Sequence, residues 1–127
     1  MSTLAVGTIK SVSSSGPVFQ NTSGTEMGTL CRAWVNFNGQ GTVAIRDSFN
    51  VSSITDNNTG TYTANFTTAF SDNDFAAVVS MGHESNSSTP RGFETVYNYQ
   101  TTSVKFDCRD ESGNESDPEV ACLIVMR

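Results

Sequence analysis

The sequence predicts an all-β protein: an antiparallel β-sandwich of jelly-roll-like type with about seven strands. Apolar and polar residues alternate along most of the chain, as they do on strands that bury one face. Clusters of Asn, Gly, Ser, Asp and Thr interrupt this alternation at short intervals, which is typical of hairpin connections. Helical periodicity never lasts more than one turn, and strong helix formers are scarce.

The alternation is clearest between Cys31 and Thr67. Three sets of apolar residues each keep one parity there: Cys31, Ala33, Val35 and Phe37; Val43, Ile45, Phe49 and Val51; Tyr62, Ala64 and Phe66. Over the whole chain, the predicted strands are residues 29–38, 42–54, 60–67, 75–83, 92–100, 102–109 and 119–126. These strands form the predicted sandwich domain, residues 29–127.

Residues 1–28 differ from the rest and are predicted to form an attachment or oligomerisation arm. A short strand is expected over Thr3–Ile9, followed by a Ser-rich stretch that ends at Gly16-Pro17. The alternative is a frayed N-terminus. An arm that becomes ordered on sister subunits is favoured because five apolar side chains would otherwise be exposed: Leu4, Val6, Ile9, Val18 and Phe19.

Composition and charge exclude several classes of partner. The net charge of −6 and only seven Lys and Arg residues argue against nucleic-acid binding. No apolar run approaches the roughly 18 residues that span a bilayer, and the first residues lack the features of a secretory signal, so no membrane insertion is expected. The chain is expected to be made in a cytoplasm. No pattern indicates a cofactor.

The three cysteines, Cys31, Cys108 and Cys122, have neither the density nor the spacing of a disulfide framework or a zinc site. Cys108 and Cys122 flank one polar loop, so they could face each other across a hairpin. Their predicted neighbours on the inward side are Val104, Phe106 and Ile124. Buried free thiols are favoured over a disulfide because the protein is expected to fold in a reducing compartment.

Candidates for catalysis and metal binding are weak. The single histidine, His83, lies at the end of a predicted strand beside Glu84, and no G-x-S-x-G elbow accompanies it. The loop Asp110–Glu119 contains five acidic residues, but their spacing does not fit an EF-hand, and a solvated loop is the favoured interpretation. Nothing fixes a pair of carboxylates across a groove, as glycosidases require. We therefore predict no enzyme and no metal site.

Recognition is predicted at a loop and at one aromatic residue. The loop Glu84–Gly92 is rich in small polar side chains suited to saccharides; its candidate receptor-binding residues are Asn86, Ser87, Ser88, Thr89 and Arg91. A plain solvated connection is the alternative. Trp34 has the parity of the polar residues, so it is expected to contact a second surface or lie in a subunit interface. Tyr97 and Tyr99 share a parity with Phe93 and are expected in the core or an interface.

The segment CRAWVNFNGQGTVAIRDSFNVSSITDNNTGTYTANFTTAF resembles tail-fibre and tail-fibre-like virion proteins of bacteriophages that infect marine bacteria. The opening STLAVGTIKSVSSSGPVF is similar to the N-terminal strand and linker of such proteins. The resemblance covers about residues 2–80, with AWVNFNGQGTVAIRDSFNVSSI as its most specific part. Residues 81–127 resemble nothing that we can name.

The resemblance implies a structural protein of the virion, trimeric, with an all-β distal domain. Its partners would be copies of itself, other tail or capsid proteins, and a glycan or protein of the host surface. The chain contains none of the shaft repeats of long fibres. Two functions therefore stay open: host attachment through sandwich loops, and an architectural capsid decoration or tail component without a receptor. A polysaccharide depolymerase is a third and weaker alternative.

Overall fold

The structure is a computed structural model that describes residues 5–10, 19–28, 30–84 and 92–127. The chain divides into two compact units, Met1–Leu30 and Cys31–Arg127. Ten β-strands and no helix lie within the described residues. The all-β prediction is confirmed, whereas the predicted number of strands is too low.

The first unit contains one small antiparallel pair, β1 (Phe19–Gln20) and β2 (Glu26–Gly28). Asn21 shapes the turn between them, because its side-chain oxygen accepts hydrogen bonds from the N–H groups of Ser23 and Thr25, both at 2.9 Å. The described part of the predicted strand Thr3–Ile9, from Ala5 onward, has no strand structure. Two short strands are the only strands among the described residues of this unit, and a pair of this size buries few apolar side chains.

The second unit contains two four-stranded antiparallel sheets. Its strands are β3 (Cys31–Asn38), β4 (Ala44–Phe49), β5 (Val51–Asn58), β6 (Thr61–Phe66), β7 (Ala76–Gly82), β8 (Glu94–Gln100), β9 (Ser103–Cys108) and β10 (Val120–Met126). Sheet I has the order β4-β3-β10-β7, and sheet II has the order β5-β6-β9-β8. The edge strands β7 and β8 are joined where the Met81 N–H donates to the Glu94 carboxylate at 3.0 Å.

One apolar core lies between the inner faces of the two sheets. Phe37 of sheet I contacts Tyr62 and Phe106 of sheet II, with ring centroids 5.2 Å and 6.0 Å apart. A second aromatic group joins Phe66 to the loop residue Phe70 at 4.8 Å. The alternation predicted that the apolar residues of β3, β6 and β9 share one buried face. This is confirmed, because every second residue of these strands lies in this core.

The predicted strand 42–54 is wrong, because the chain divides there into β4 in sheet I and β5 in sheet II. Asn50 lies between the two strands with a φ of 55°. Its side-chain oxygen accepts from the Thr68 N–H at 2.7 Å, and its amide nitrogen donates to the carbonyls of Arg32 and Thr68 at 3.1 and 3.2 Å. Asparagine tolerates this left-handed conformation better than most residues. These three bonds fix the corner at which the chain changes sheets.

A β-bulge also changes the parity within β4. Ile45 pairs with Phe37, but Asp47 pairs with Asn36, so Arg46 is an extra residue on this strand. After the bulge, Phe49 lies opposite Trp34 on the outer face of sheet I. The prediction that Phe49 shares a buried face with Val51 is therefore wrong: Phe49 is 55% exposed.

The inward position predicted for both C-terminal cysteines is correct for Cys108 and wrong for Cys122, and the two do not face each other across a hairpin, because β9 belongs to sheet II and β10 to sheet I. Cys108 is buried on the inner face with Val104 and Phe106, and burial raises its pKa to about 12, so this thiol stays protonated at neutral pH. In β10 the inward residues are Ala121, Leu123 and Val125. Cys122 and Ile124 instead belong to the outer face, and all three cysteines are free thiols.

The prediction that alternate residues share one face is also wrong for β8. The register of this strand shifts between Tyr97 and Gln100, and Asn98 has a φ of 49°. Tyr99 consequently packs against the core, with its ring 5.1 Å from that of Phe75. Tyr97 is on the opposite face, where its hydroxyl donates to Asp107 at 2.8 Å, and Phe93 is exposed. These three aromatic residues do not share one face as predicted.

Candidate functional site

The outer face of sheet I has an apolar row that crosses all four strands. The residues of this row are register partners, in the order Phe49, Trp34, Ile124 and Val78. Ile124 is 48% exposed and Val78 is 65% exposed, while Trp34 is half-buried. Neighbouring strands lie about 4.8 Å apart, so the row extends over roughly 14 Å. We call these four residues the apolar row.

A shallow pocket of about 320 Å³ adjoins the indole of Trp34 on the same face. Cys31, Cys122 and Ile124 contribute to its lining. Burial raises the pKa of the Cys122 thiol, so this side chain acts here as a small apolar group. Trp34 therefore has an apolar register partner on each neighbouring strand, Phe49 and Ile124, with the polar side chain of Asn36 beside it. This is the chemistry that interface cores favour.

The outer face of sheet II has the opposite character. Asp107 accepts hydrogen bonds there from the hydroxyls of Thr61 at 3.1 Å and Tyr97 at 2.8 Å. Asn65 donates to the Thr55 hydroxyl at 2.9 Å, and the Lys105 ammonium lies 5.6 Å from the centre of the Tyr97 ring. These polar groups form hydrogen bonds or a cation–π contact with one another. Among the described residues, the outer face of sheet I is therefore more apolar than that of sheet II.

The structure tests only some of the predicted interface and receptor residues. The candidate receptor-binding residues Asn86, Ser87, Ser88, Thr89 and Arg91 lie outside the described residues, as do Leu4 and Val18 of the arm. The remaining arm residues, Val6, Ile9 and Phe19, are exposed, as are Met27 and Leu30 of the same unit. Trp34 is on an outer face, as its parity indicates. Sequence reasoning missed Ile124, Val78 and Phe49 beside it.

The acidic loop Asp110–Glu119 is ordered by its own hydrogen bonds rather than being a simple solvated loop. Bonds from the backbone and side chain of Asn114 hold the pKa of Asp110 below its usual value. Asp117 accepts hydrogen bonds from the Gly60 N–H and the Tyr62 hydroxyl, both at 2.7 Å. No group of three or more potential metal ligands occurs in the part of the chain that the structure describes. At least these two carboxylates therefore have structural partners.

Tyr62 lies where this loop closes over the core. Burial is the largest cause that raises the pKa of Tyr62 well above its ordinary value, and the hydrogen bond to Asp117 is the second. The phenol therefore remains a donor. A Cβ on Gly60, which has a φ of +70°, would lie 2.4 Å from the Cys108 carbonyl oxygen. Glycine is required at this position because the loop packs so closely on the hairpin.

His83 contacts Glu119, with Nδ1 3.3 Å from Oε2. Its Nε2 is buried and has no hydrogen-bond partner among the described residues. No serine, threonine or cysteine hydroxyl or thiol is hydrogen-bonded to this ring within residues 5–10, 19–28, 30–84 and 92–127. The described geometry therefore assembles no triad around His83.

A second pocket, of about 370 Å³, lies at the Asn50 corner. Arg32 and Phe49 line it on the side of sheet I, and the segment Thr67–Phe70 lines it on the other side. The backbone here is held by the Asn50 side chain and by a bond from the Thr67 N–H to the Asn50 carbonyl at 3.2 Å. We call this the corner pocket.

Comparison with known proteins adds no relative: no protein-family model, curated protein or solved structure matches the chain. None of the described residues belongs to a helix long and apolar enough to cross a membrane.

Proposed function

We propose that this protein is a structural subunit of a bacteriophage virion, of the tail-fibre type, that attaches the particle to the host surface. The observation that supports a role as a subunit is the apolar row on sheet I, because the polar groups on the outer face of sheet II are hydrogen-bonded to one another. An exposed row of large apolar residues is costly for a monomer and useful to a subunit. The resemblance of residues 2–80 to tail-fibre-like proteins supplies the biological setting.

In the proposed assembly, three β-sandwich domains associate around a closed axis, and their N-terminal segments act as arms on neighbouring subunits. Val6, Ile9 and Phe19 are apolar side chains that such an arm would bury. Trp34, Ile124 and Val78 of the apolar row form the surface that would receive them or the neighbouring sheet, whereas Phe49 borders the corner pocket. In a closed ring, every subunit has its apolar surface covered by a neighbour, so no copy of this surface stays exposed to water.

The alternative is an architectural capsid decoration or tail component that binds no receptor. The apolar row supports this function equally well, because a flat apolar face can dock on another virion protein. The two functions differ in what the loops do. Attachment needs loops that bind the host, whereas an architectural component needs only the covered face.

An adsorption experiment distinguishes them. Purified protein and particles are measured for binding to host cells, with residues 86–91 replaced by a Gly-Ser linker of equal length. For an attachment protein we expect the wild-type chain to bind cells, and the loop variant to enter particles that no longer adsorb. A chain that binds no cells, but whose Met1–Phe19 deletion blocks incorporation into particles, would instead be architectural.

A further inference from the structure

The corner pocket has the chemistry of a binding site that uses one positive charge. Arg32 provides the only formal charge among its lining residues, and no acidic residue lines it. The other described arginines, Arg46, Arg109 and Arg127, each form an ion pair with a carboxylate. Within the described residues, no oxygen accepts a hydrogen bond from the Arg32 guanidinium. Arg32 therefore brings to this lining a guanidinium that is paired with none of the described residues, in a protein with a net charge of −6.

The rest of the lining suits a sugar ring better than an inorganic anion. The exposed ring of Phe49 offers an apolar face at one side of the pocket. Thr67 and Thr68 line another side, and neither hydroxyl has a hydrogen-bond partner among the described residues. The volume of about 370 Å³ falls at the lower end of the range for small-ligand pockets, which fits one or two sugar units.

The pocket is also preorganised. The Asn50 amide makes three hydrogen bonds to the backbone of Arg32 and Thr68, so it holds both walls at a fixed separation. Left-handed backbone at a non-glycine residue, such as Asn50, is often retained at binding sites. Ligands lose less free energy when they bind to walls that are already ordered.

We propose that the corner pocket binds a carboxylate-bearing saccharide unit, of the uronic-acid type, on the host surface. This inference rests on the proposed function: it adds to the predicted loop residues 86–91 a second contact with the receptor, and it names the chemical class that this contact would bind. The Arg32 guanidinium would bind the carboxylate through paired hydrogen bonds, which neutral sugars cannot accept in the same way. The Thr67 and Thr68 hydroxyls would bind sugar hydroxyls, and the Phe49 ring would pack against the C–H face of the sugar.

The test is an NMR titration of the full chain with glucuronate, galacturonate and their neutral parents glucose and galactose. We expect the uronates to bind at least about tenfold more tightly than the neutral sugars. R32Q should weaken uronate binding about tenfold without lowering the unfolding temperature. The matched control K105Q removes the same charge from the outer face of sheet II, and its binding should equal that of the wild type.

Three results would overturn the inference: no uronate binding, equal affinity for uronates and neutral sugars, or wild-type affinity in R32Q. Loss of assembly in R32Q without any uronate binding would also overturn it, because the guanidinium would then pair with a neighbouring subunit. A chain that adsorbs to host cells but binds no uronate refutes the saccharide site alone. A chain that binds uronate through Arg32 but adsorbs to no host cell refutes host attachment and leaves the site intact.

Discussion

Replacing Ile124 with lysine is expected to convert the proposed assembly into monomers. Ile124 lies at the centre of the apolar row on β10, between its register partners Trp34 and Val78. The monomer should tolerate the change, because this side chain is 48% exposed. In the assembly, a lysine would bury an unpaired charge at a cost of about 3 kcal/mol or more per interface, which weakens association at least about a hundredfold. Sedimentation velocity over a range of concentrations measures the effect.

The control for this experiment adds the same charge to the other sheet. Thr95 is exposed on the outer face of sheet II, opposite Asp107, so T95K should assemble as the wild type does. Circular dichroism should show that both variants keep the β-structure. An I124K protein that assembles normally would exclude the apolar row as the subunit interface. Loss of assembly in both variants would point to a general effect of charge.

Replacing Phe37 with alanine is expected to have the largest effect on folding. Phe37 is fully buried between the sheets, and its ring contacts Tyr62 edge-on. Removing a buried phenylalanine costs about 3–5 kcal/mol, because apolar burial is lost and a cavity remains. Small domains are stabilised by only about 5–15 kcal/mol in total, so F37A should unfold at a much lower urea concentration.

Phe93 provides a control with identical chemistry. Its side chain is 64% exposed, so F93A should change the free energy of unfolding by about 0.5 kcal/mol or less. All proteins must be compared at one concentration, because association also stabilises the folded state. Similar costs for F37A and F93A would mean that the two sheets do not enclose the core described above.

Alternation along the sequence predicted the strands that each have one apolar and one polar face. In β3 and β9, the polar residues lie between buried ones, so only one register hides the apolar set. The same reasoning could not orient β10, because Val120–Met126 is apolar at nearly every position. Either parity would bury apolar residues there, and the choice depends on pairing with β3 and β7.

The apolar row could not be predicted for a related reason. Phe49 reaches the outer face only because Arg46 is an extra residue in β4, and a bulge leaves little trace in a single sequence. The adjacent polar residues Arg46 and Asp47, between Ile45 and Phe49, were the only available signal. The corner at Asn50 could not be predicted either, because asparagine is common in both strands and turns of this chain. The corner pocket brings together Arg32 and Thr68, which the Asn50 side chain joins only after the chain has changed sheets.

Trp34 allows the most direct measurement of whether the apolar row is the assembly surface. It is the only tryptophan in the chain, and in a single subunit it is half-buried. Fluorescence emission and quenching by acrylamide can be recorded across a dilution series, with the oligomeric state of the same samples determined by sedimentation equilibrium. We expect the emission to shift to shorter wavelength, and the quenching to fall, in proportion to the fraction of assembled protein. Emission and quenching that stay constant while oligomers form, or a protein that remains monomeric at every concentration, would contradict the assignment.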